Sequence, residues 1–164
     1  MKKKIKIIIS WLLVILWMFV IFMFSNMPGE ESDSKSKGTI NTVVEVVVAI
    51  ADKLEIIDEK PTSFTIEQFV EKINIPLRKF MHAFIYLVLG VLVFNALKVS
   101  NVENKKIVLI AFLICFIYAC TDEYHQTLIA KRSGELRDVL IDTTGSIIGI
   151  TSYYLIAKKI TKKN

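Results

Sequence analysis

Apolar residues in this chain gather into four long runs separated by charged segments. Ile7 to Phe24 is broken only by Ser10. A second run covers about Leu77 to Leu97, a third starts at Ile107 and reaches about Leu128, and a fourth runs from about Asp138 to Ala157. A membrane helix needs about 20 such residues. The pattern predicts an all-α, polytopic bundle of four transmembrane helices, at about 6–25, 77–97, 107–128 and 138–157, within one domain over 1–164. The first run is longer than a signal peptide's apolar core of about 7–15 residues, and no Ala-x-Ala-like site follows it. It is expected to be a retained span.

The remaining long segment, 29–75, is expected to lie outside the bundle. Gly29 to Gly38 is rich in Ser, Glu and Lys and reads as a polar loop. Ile40, Val43, Val47, Ile50, Leu54 and Ile57 then alternate steps of three and four, an apolar seam on a helix. Glu45, Asp52, Lys53 and Glu55 prevent that helix from spanning a bilayer. Pro61 punctuates. Thr65 and Gln68 have capping-box spacing, Phe64 can staple onto Phe69, and Ile66, Phe69, Val70 and Ile73 form one face. Two short amphipathic helices on the outer side are therefore predicted, with Pro76 starting the second span, a place that favours proline.

Composition agrees with the membrane class: 53% of residues are hydrophobic and the mean hydropathy is +0.50. The net charge of +5 is unevenly spread. Lys2, Lys3, Lys4, Lys6, Lys98, Lys105, Lys106, Lys158, Lys159, Lys162 and Lys163 flank one set of span ends, opposed there only by Glu103. The other segments are net acidic. Positive-inside logic puts both termini and the 98–106 loop in the cytoplasm of a multi-pass cell-membrane protein. These lysines are scattered tethers of helix ends, so nucleic acid is a poor partner and the lipid bilayer the expected one. Cys115 and Cys120 point about 140° apart on one helix, which argues against a disulfide and for small packing residues.

The candidate chemistry lies at the acidic end of the bundle. In the third run Asp122, His125 and Gln126 share a helix face, with Glu123 about 100° round. Ionisable groups at membrane depth are costly and point to function. In the second run Lys79, His82 and Tyr86 share a stripe, and Arg78 sits one turn before His82. Arg132 and Arg137 follow in the loop, where Arg132 suits either a salt bridge or a ligand clamp. Asp138 and Asp142 fall on one stripe with Gly145 and Gly149, whose spacing allows close helix approach. Three chemistries fit: acid–base catalysis by the carboxylates and His residues; a divalent metal held by Asp122-x-x-His125 with His82, Glu123 or Asp142; or simple retention of an anionic head group by the basic groups.

Several of these pieces, in order, resemble the VanZ-like family of membrane proteins. They are Phe24-Ser25, the loop with Ser32, Ser34 and Ser36, Arg78-Lys79-x-x-His82-x-x-x-Tyr86-x-x-Leu89-Gly90, and Thr121-Asp122-Glu123-x-His125-Gln126. Arg132, Asp138-Val139, Asp142, Gly145 and Gly149 complete the set. Leu128-Ile129-Ala130-Lys131-Arg132 departs from the Phe-x-Pro-Gly-Arg-like turn that the family pattern has there. The resemblance implies a four-span envelope protein linked to resistance to teicoplanin-type glycopeptides.

The resemblance supplies a context and not a reaction; from the polar residues themselves, an outward-facing site is expected to act on a lipid-linked or anionic envelope molecule by hydrolysis or group transfer. His82, Asp122, Glu123 and His125 would be its catalytic or metal-binding core. Arg78, Lys79, Tyr86, Gln126, Arg132, Asp138 and Asp142 would hold and orient the ligand, a cell-wall precursor or a glycopeptide. The competing expectation is a binding or accessory protein without catalysis.

Overall fold

The computed structural model describes residues 2–57 and 61–163, without the side chains of 104–105 and 161–163, so Lys105, Lys162 and Lys163 lie outside the described side chains. The described residues form five helices: α1 (Lys2–Ser25), α2 (Gly29–Lys53), α3 (Ser63–Val99), α4 (Asn104–Gln126) and α5 (Leu136–Lys163). Four of them, all but α2, are long and apolar enough to cross a membrane. The all-helical, four-span expectation is met.

The outer segment differs in detail from expectation. Gly29 to Gly38 is helical, the first part of a 25-residue α2. No apolar repeat marks it. Its turns are supported instead by Glu30 and Glu31 at the positive end of the helix dipole and by (i, i+4) pairs Glu31–Lys35 and Asp33–Lys37. Of the apolar seam that follows, only Ile40 is buried, while Val43, Val47, Ile50 and Leu54 stay exposed.

The second short helix is not separate. It is the start of α3, which runs 37 residues straight through Pro76. At 1.5 Å per residue α3 is about 55 Å long, well beyond a hydrocarbon core of about 30 Å. Its first turns therefore project past the span and provide the surface on which α2 packs. Its cap is Thr62, whose hydroxyl accepts from the Thr65 amide at 3.3 Å, so Thr65 is the capped residue and not the cap. Phe64 and Phe69 are both exposed and form no tight staple.

Helix α3 is the hub and packs on all four others, most extensively on α5. The α3–α5 crossing is backbone on backbone. A Cβ at Gly145 would lie 2.0 Å from the Ala83 carbonyl oxygen, one at Gly149 2.1 Å from that of Leu87, and one at Gly90 2.4 Å from that of Ser146. This is the close approach expected of the Gly145–Gly149 stripe. Tyr86, Leu89 and Val93 of α3, with Cys115 and Ala119 of α4, fill the centre.

Helix α1 buries one stripe, Ser10, Val14, Ile21 and Ser25, packs Trp11, Trp17 and Met18 partly against the core, and exposes much of its other apolar surface. Polar links attach it to the bundle. The Trp17 indole donates to the Ile85 carbonyl at 2.9 Å. The Tyr118 hydroxyl donates to the Met18 carbonyl at 2.6 Å. The Trp11 indole donates to the Ser100 hydroxyl at 3.1 Å. Such groups need partners wherever water is absent.

Candidate functional site

The end of the bundle where α1 and α4 finish and α5 begins holds a cleft of about 470 Å³. Its walls come from four helices and one loop: Gly29, Glu30 and Asp33 of α2; Ile75, Arg78, Lys79 and His82 of α3; Glu123 and Gln126 of α4; Lys131 to Ser133 and Glu135 of the loop; and Asp138, Ile141 and Asp142 of α5. Residues more than a hundred positions apart thus meet in one space.

Two expected site residues lie just behind the lining. Asp122, 4% exposed, accepts the Ser25 hydroxyl at 2.8 Å and the Gln126 amide at 3.3 Å. Tyr86 is 0% exposed; its hydroxyl faces Asp122 without a well-formed hydrogen bond. His125 is turned away from the cleft. Its ring lies 4.8 Å from that of Phe22 on α1 and its buried Nδ1 has no partner. The helix period put His125 on the Asp122 face, but α1 covers that side of α4. Among the described residues no group of three His, Cys, Asp or Glu side chains is placed to hold a metal ion.

Each cation of the cleft is already engaged. Lys79 pairs with Asp138 at 2.6 Å. Arg78 reaches Asp33 at 3.4 Å, and Asn74 donates to the same Asp33 oxygen at 2.7 Å. Burial alone would raise the Asp33 carboxyl, but the Lys37 and Asn74 hydrogen bonds and the Lys37 and Arg78 charges outweigh it and hold it below its ordinary value. Lys131 pairs with Glu30. Arg132 donates to the Ser25 carbonyl at 3.0 Å, the Phe24 carbonyl at 3.4 Å and the Ser32 hydroxyl at 3.3 Å. It therefore caps the C-terminus of α1, where unsatisfied carbonyls and the dipole both favour a cation. Burial pulls its guanidinium below the ordinary value, Arg78 adds to this, and Asp122 and Glu123 oppose it.

What the cleft leaves unpaired is different. His82 is half-buried and lies within reach of the charges of Asp122, Arg132, Asp138 and Arg78. Glu123, 6% exposed, has one oxygen held by the Glu135 amide at 2.7 Å. Asp142 is 1% exposed, and its Oδ1 has no hydrogen-bond partner.

Ser25, Asp33, Asn74 and Glu135 are parts of the site that were not singled out as candidates from the sequence. Ser25 stood among the family-like pieces, which was a usable signal. Asp33 and Glu135 had none, because each is an ordinary surface acid until α2 and the loop fold over the cleft.

The turn at 128–132 forms without Pro or Gly. The Leu128 and Ile129 amides bond back to the His125 and Gln126 carbonyls, and Lys131 takes a left-handed φ of 59°, at the place of the Gly in the Phe-x-Pro-Gly-Arg-like pattern. The Gly29 amide donates to the Ala130 carbonyl at 3.1 Å. A non-Gly residue in this conformation costs on the order of 1 kcal/mol. Lys131→Gly should raise thermal stability by about that amount, measured on purified protein in detergent; a fall would show that the Glu30 ion pair outweighs the backbone strain.

Comparison with known proteins returns one family. The VanZ/LLP1 family profile matches residues 10–157, which takes in every wall of the cleft. No match is found among curated proteins or among solved structures. With the profile covering the four spans, the projecting start of α3 and the polar cleft together, the chain is a multi-pass membrane protein that belongs to the VanZ/LLP1 family.

Proposed function

We propose that the cleft opens to the outer face of the cell membrane, with both chain termini in the cytoplasm, and acts on the head group of a lipid-linked cell-envelope molecule. His82 and Glu123 serve as the acid–base pair, with Asp142 beside them and Asp122, Gln126 and Tyr86 fixing the walls behind. Arg78, Lys79 and Arg132 meet an anionic part of the ligand, the first two by exchanging Asp33 and Asp138 for it. The reaction class is hydrolysis or group transfer, and the cellular consequence is reduced sensitivity to teicoplanin-type glycopeptides.

The observation that carries this reading is the meeting of His82, Glu123 and Asp142, from three different helices, on one cleft. Burying a group such as Asp142 Oδ1 without a partner costs stability, and a role in chemistry accounts for keeping it. The test compares His82→Ala and Glu123→Gln with the parent in cells. Both should abolish any shift in teicoplanin susceptibility and any change in the envelope-lipid profile. Unchanged phenotypes at normal expression would sink the catalytic reading.

A second reading has its own support. Because Arg78, Lys79, Lys131 and Arg132 are all engaged within the protein, the cleft could shield a precursor or bind the antibiotic without chemistry. In that case the two variants lose ligand retention in proportion to phenotype, and no product accumulates in the parent.

A further inference from the structure

The charge balance of the cleft is uneven in a specific direction. Its lining has the carboxylates Glu30, Asp33, Glu123, Glu135, Asp138 and Asp142 against the cations Arg78, Lys79, Lys131 and Arg132. Three of the acids, Asp33, Glu30 and Asp138, consume three cations, and the fourth cation is spent on α1 carbonyls. Toward the bundle interior no carboxylate has an ion-pair partner among the described residues, although the Arg132 charge reaches Asp122 and Glu123. Glu123 is held by a backbone amide, Asp122 behind it by a hydroxyl and a side-chain amide, and Asp142 by nothing at Oδ1.

Asp142 carries the argument furthest. It is 99% removed from solvent by its 1% exposure, lines the cleft floor, and retains an orphan oxygen. The charges that act on it are those of Asp122 and Glu123 on α4 and Asp138 on α5 itself, while His82 and Lys79 of α3 line the same cleft. Lys79 is already paired with Asp138. A buried carboxylate without a counter-charge is strongly unfavourable. A ligand cation would supply the missing partner. The donors do not converge as a metal shell requires, whereas a cleft of about 470 Å³ has room for an organic group whose N–H donors reach separate oxygens.

We infer that the inner wall of the cleft, Asp142 with Glu123, receives an organic ammonium group. The ligand is then zwitterionic, with its ammonium against Asp142 and its phosphate toward the Arg78 and Lys79 rim. This rests on the proposed action on a lipid head group and narrows its substrate class. The same ammonium chemistry could arrive on a lipid or on a free amine, and the test separates them.

The purified full-length protein is reconstituted in nanodiscs and bound lipid is measured by native mass spectrometry. The probes are phosphatidylethanolamine, its N-acetylated derivative and phosphatidylglycerol, with soluble glycerophosphoethanolamine as competitor. Phosphatidylethanolamine should be retained about tenfold better than the N-acetylated form, which keeps the phosphate and loses the positive charge. Asp142→Asn, which keeps the size of the side chain but cannot carry the charge that pairs with an ammonium, should erase that preference. Glu123→Gln should reduce the preference and gives a second readout if Asp142→Asn does not fold.

Competition by glycerophosphoethanolamine identifies the head group alone as sufficient; its failure assigns the binding to the intact lipid. Equal retention of the acetylated lipid, or a preference that survives both substitutions, overturns the inference. Retention of phosphatidylglycerol alone leaves the lipid-head-group reading standing and removes the ammonium. Retention of none of the three, with no competition, removes both.

Discussion

Gly145→Val and Gly149→Leu should leave no folded protein to purify. Each substitution puts a Cβ about where a backbone carbonyl already lies, 2.0 Å from Ala83 oxygen and 2.1 Å from Leu87 oxygen. Those oxygens belong to a helix backbone and cannot rotate aside as a side chain would. Relief requires α3 and α5 to separate, and α3 with α5 is the most extensive packing in the molecule. Overpacking in a dense core costs about 1–3 kcal/mol even where neighbours can shift, so a rigid backbone contact sits at or above the top of that range. Gly38→Ala is the matched control. Nothing lies within 4 Å of a Cβ there, and removing a mid-helix glycine should gain about 0.5–1 kcal/mol. Monodispersity and thermal melting in detergent check both. Well-behaved Gly149→Leu protein with parental stability would show that the crossing is not as tight as described.

The second large effect is expected at Arg132, and it resolves whether that residue is a clamp for ligand or a fastener for the fold. Arg132→Ala removes the donors to the Ser25 and Phe24 carbonyls and the Ser32 hydroxyl. Hydrogen bonds from a charged donor contribute about 1.5–3 kcal/mol, and the three are not additive, so a loss of about 2–3 kcal/mol is expected. The same change loosens the end of α1 and with it the Ser25 hydroxyl that holds Asp122. Arg132→Lys should recover part of the stability, since a cation at a helix C-terminus is favourable without the guanidinium's fork. If Arg132→Ala melts like the parent yet loses lipid or antibiotic effect, the residue acts on ligand and the capping contacts are incidental.

The glycine crossing and the arginine cap differ in how far local sequence encodes them. Gly145 and Gly149 sit four apart on an apolar run, and that spacing alone marks a packed face. Arg132 offered two roles, and the groups it bonds, on α1 and at Ser32 of α2, lie a hundred or more residues away in sequence. The outer segment shows the same limit in another form. A solvated helix such as Gly29–Lys53 has no need of an apolar repeat in its first turns, because docking and short-range ion pairs stabilise it. Its first part therefore looked like a loop. Pro76 looked like a boundary because proline usually is one, yet α3 continues through it with neighbours on both sides.

The number of spans, their helical character, the small-residue crossing and the level at which polar groups gather all follow from the sequence, since hydropathy and the 3.6-residue period are local properties. The tertiary structure decided which polar groups are satisfied. Helix rotation turned His125 onto Phe22, spent Lys79 on Asp138 and Arg132 on α1, and left His82, Glu123 and Asp142 facing an open space. Pairing depends on the relative depth and rotation of helices far apart in the chain, and no local pattern encodes either.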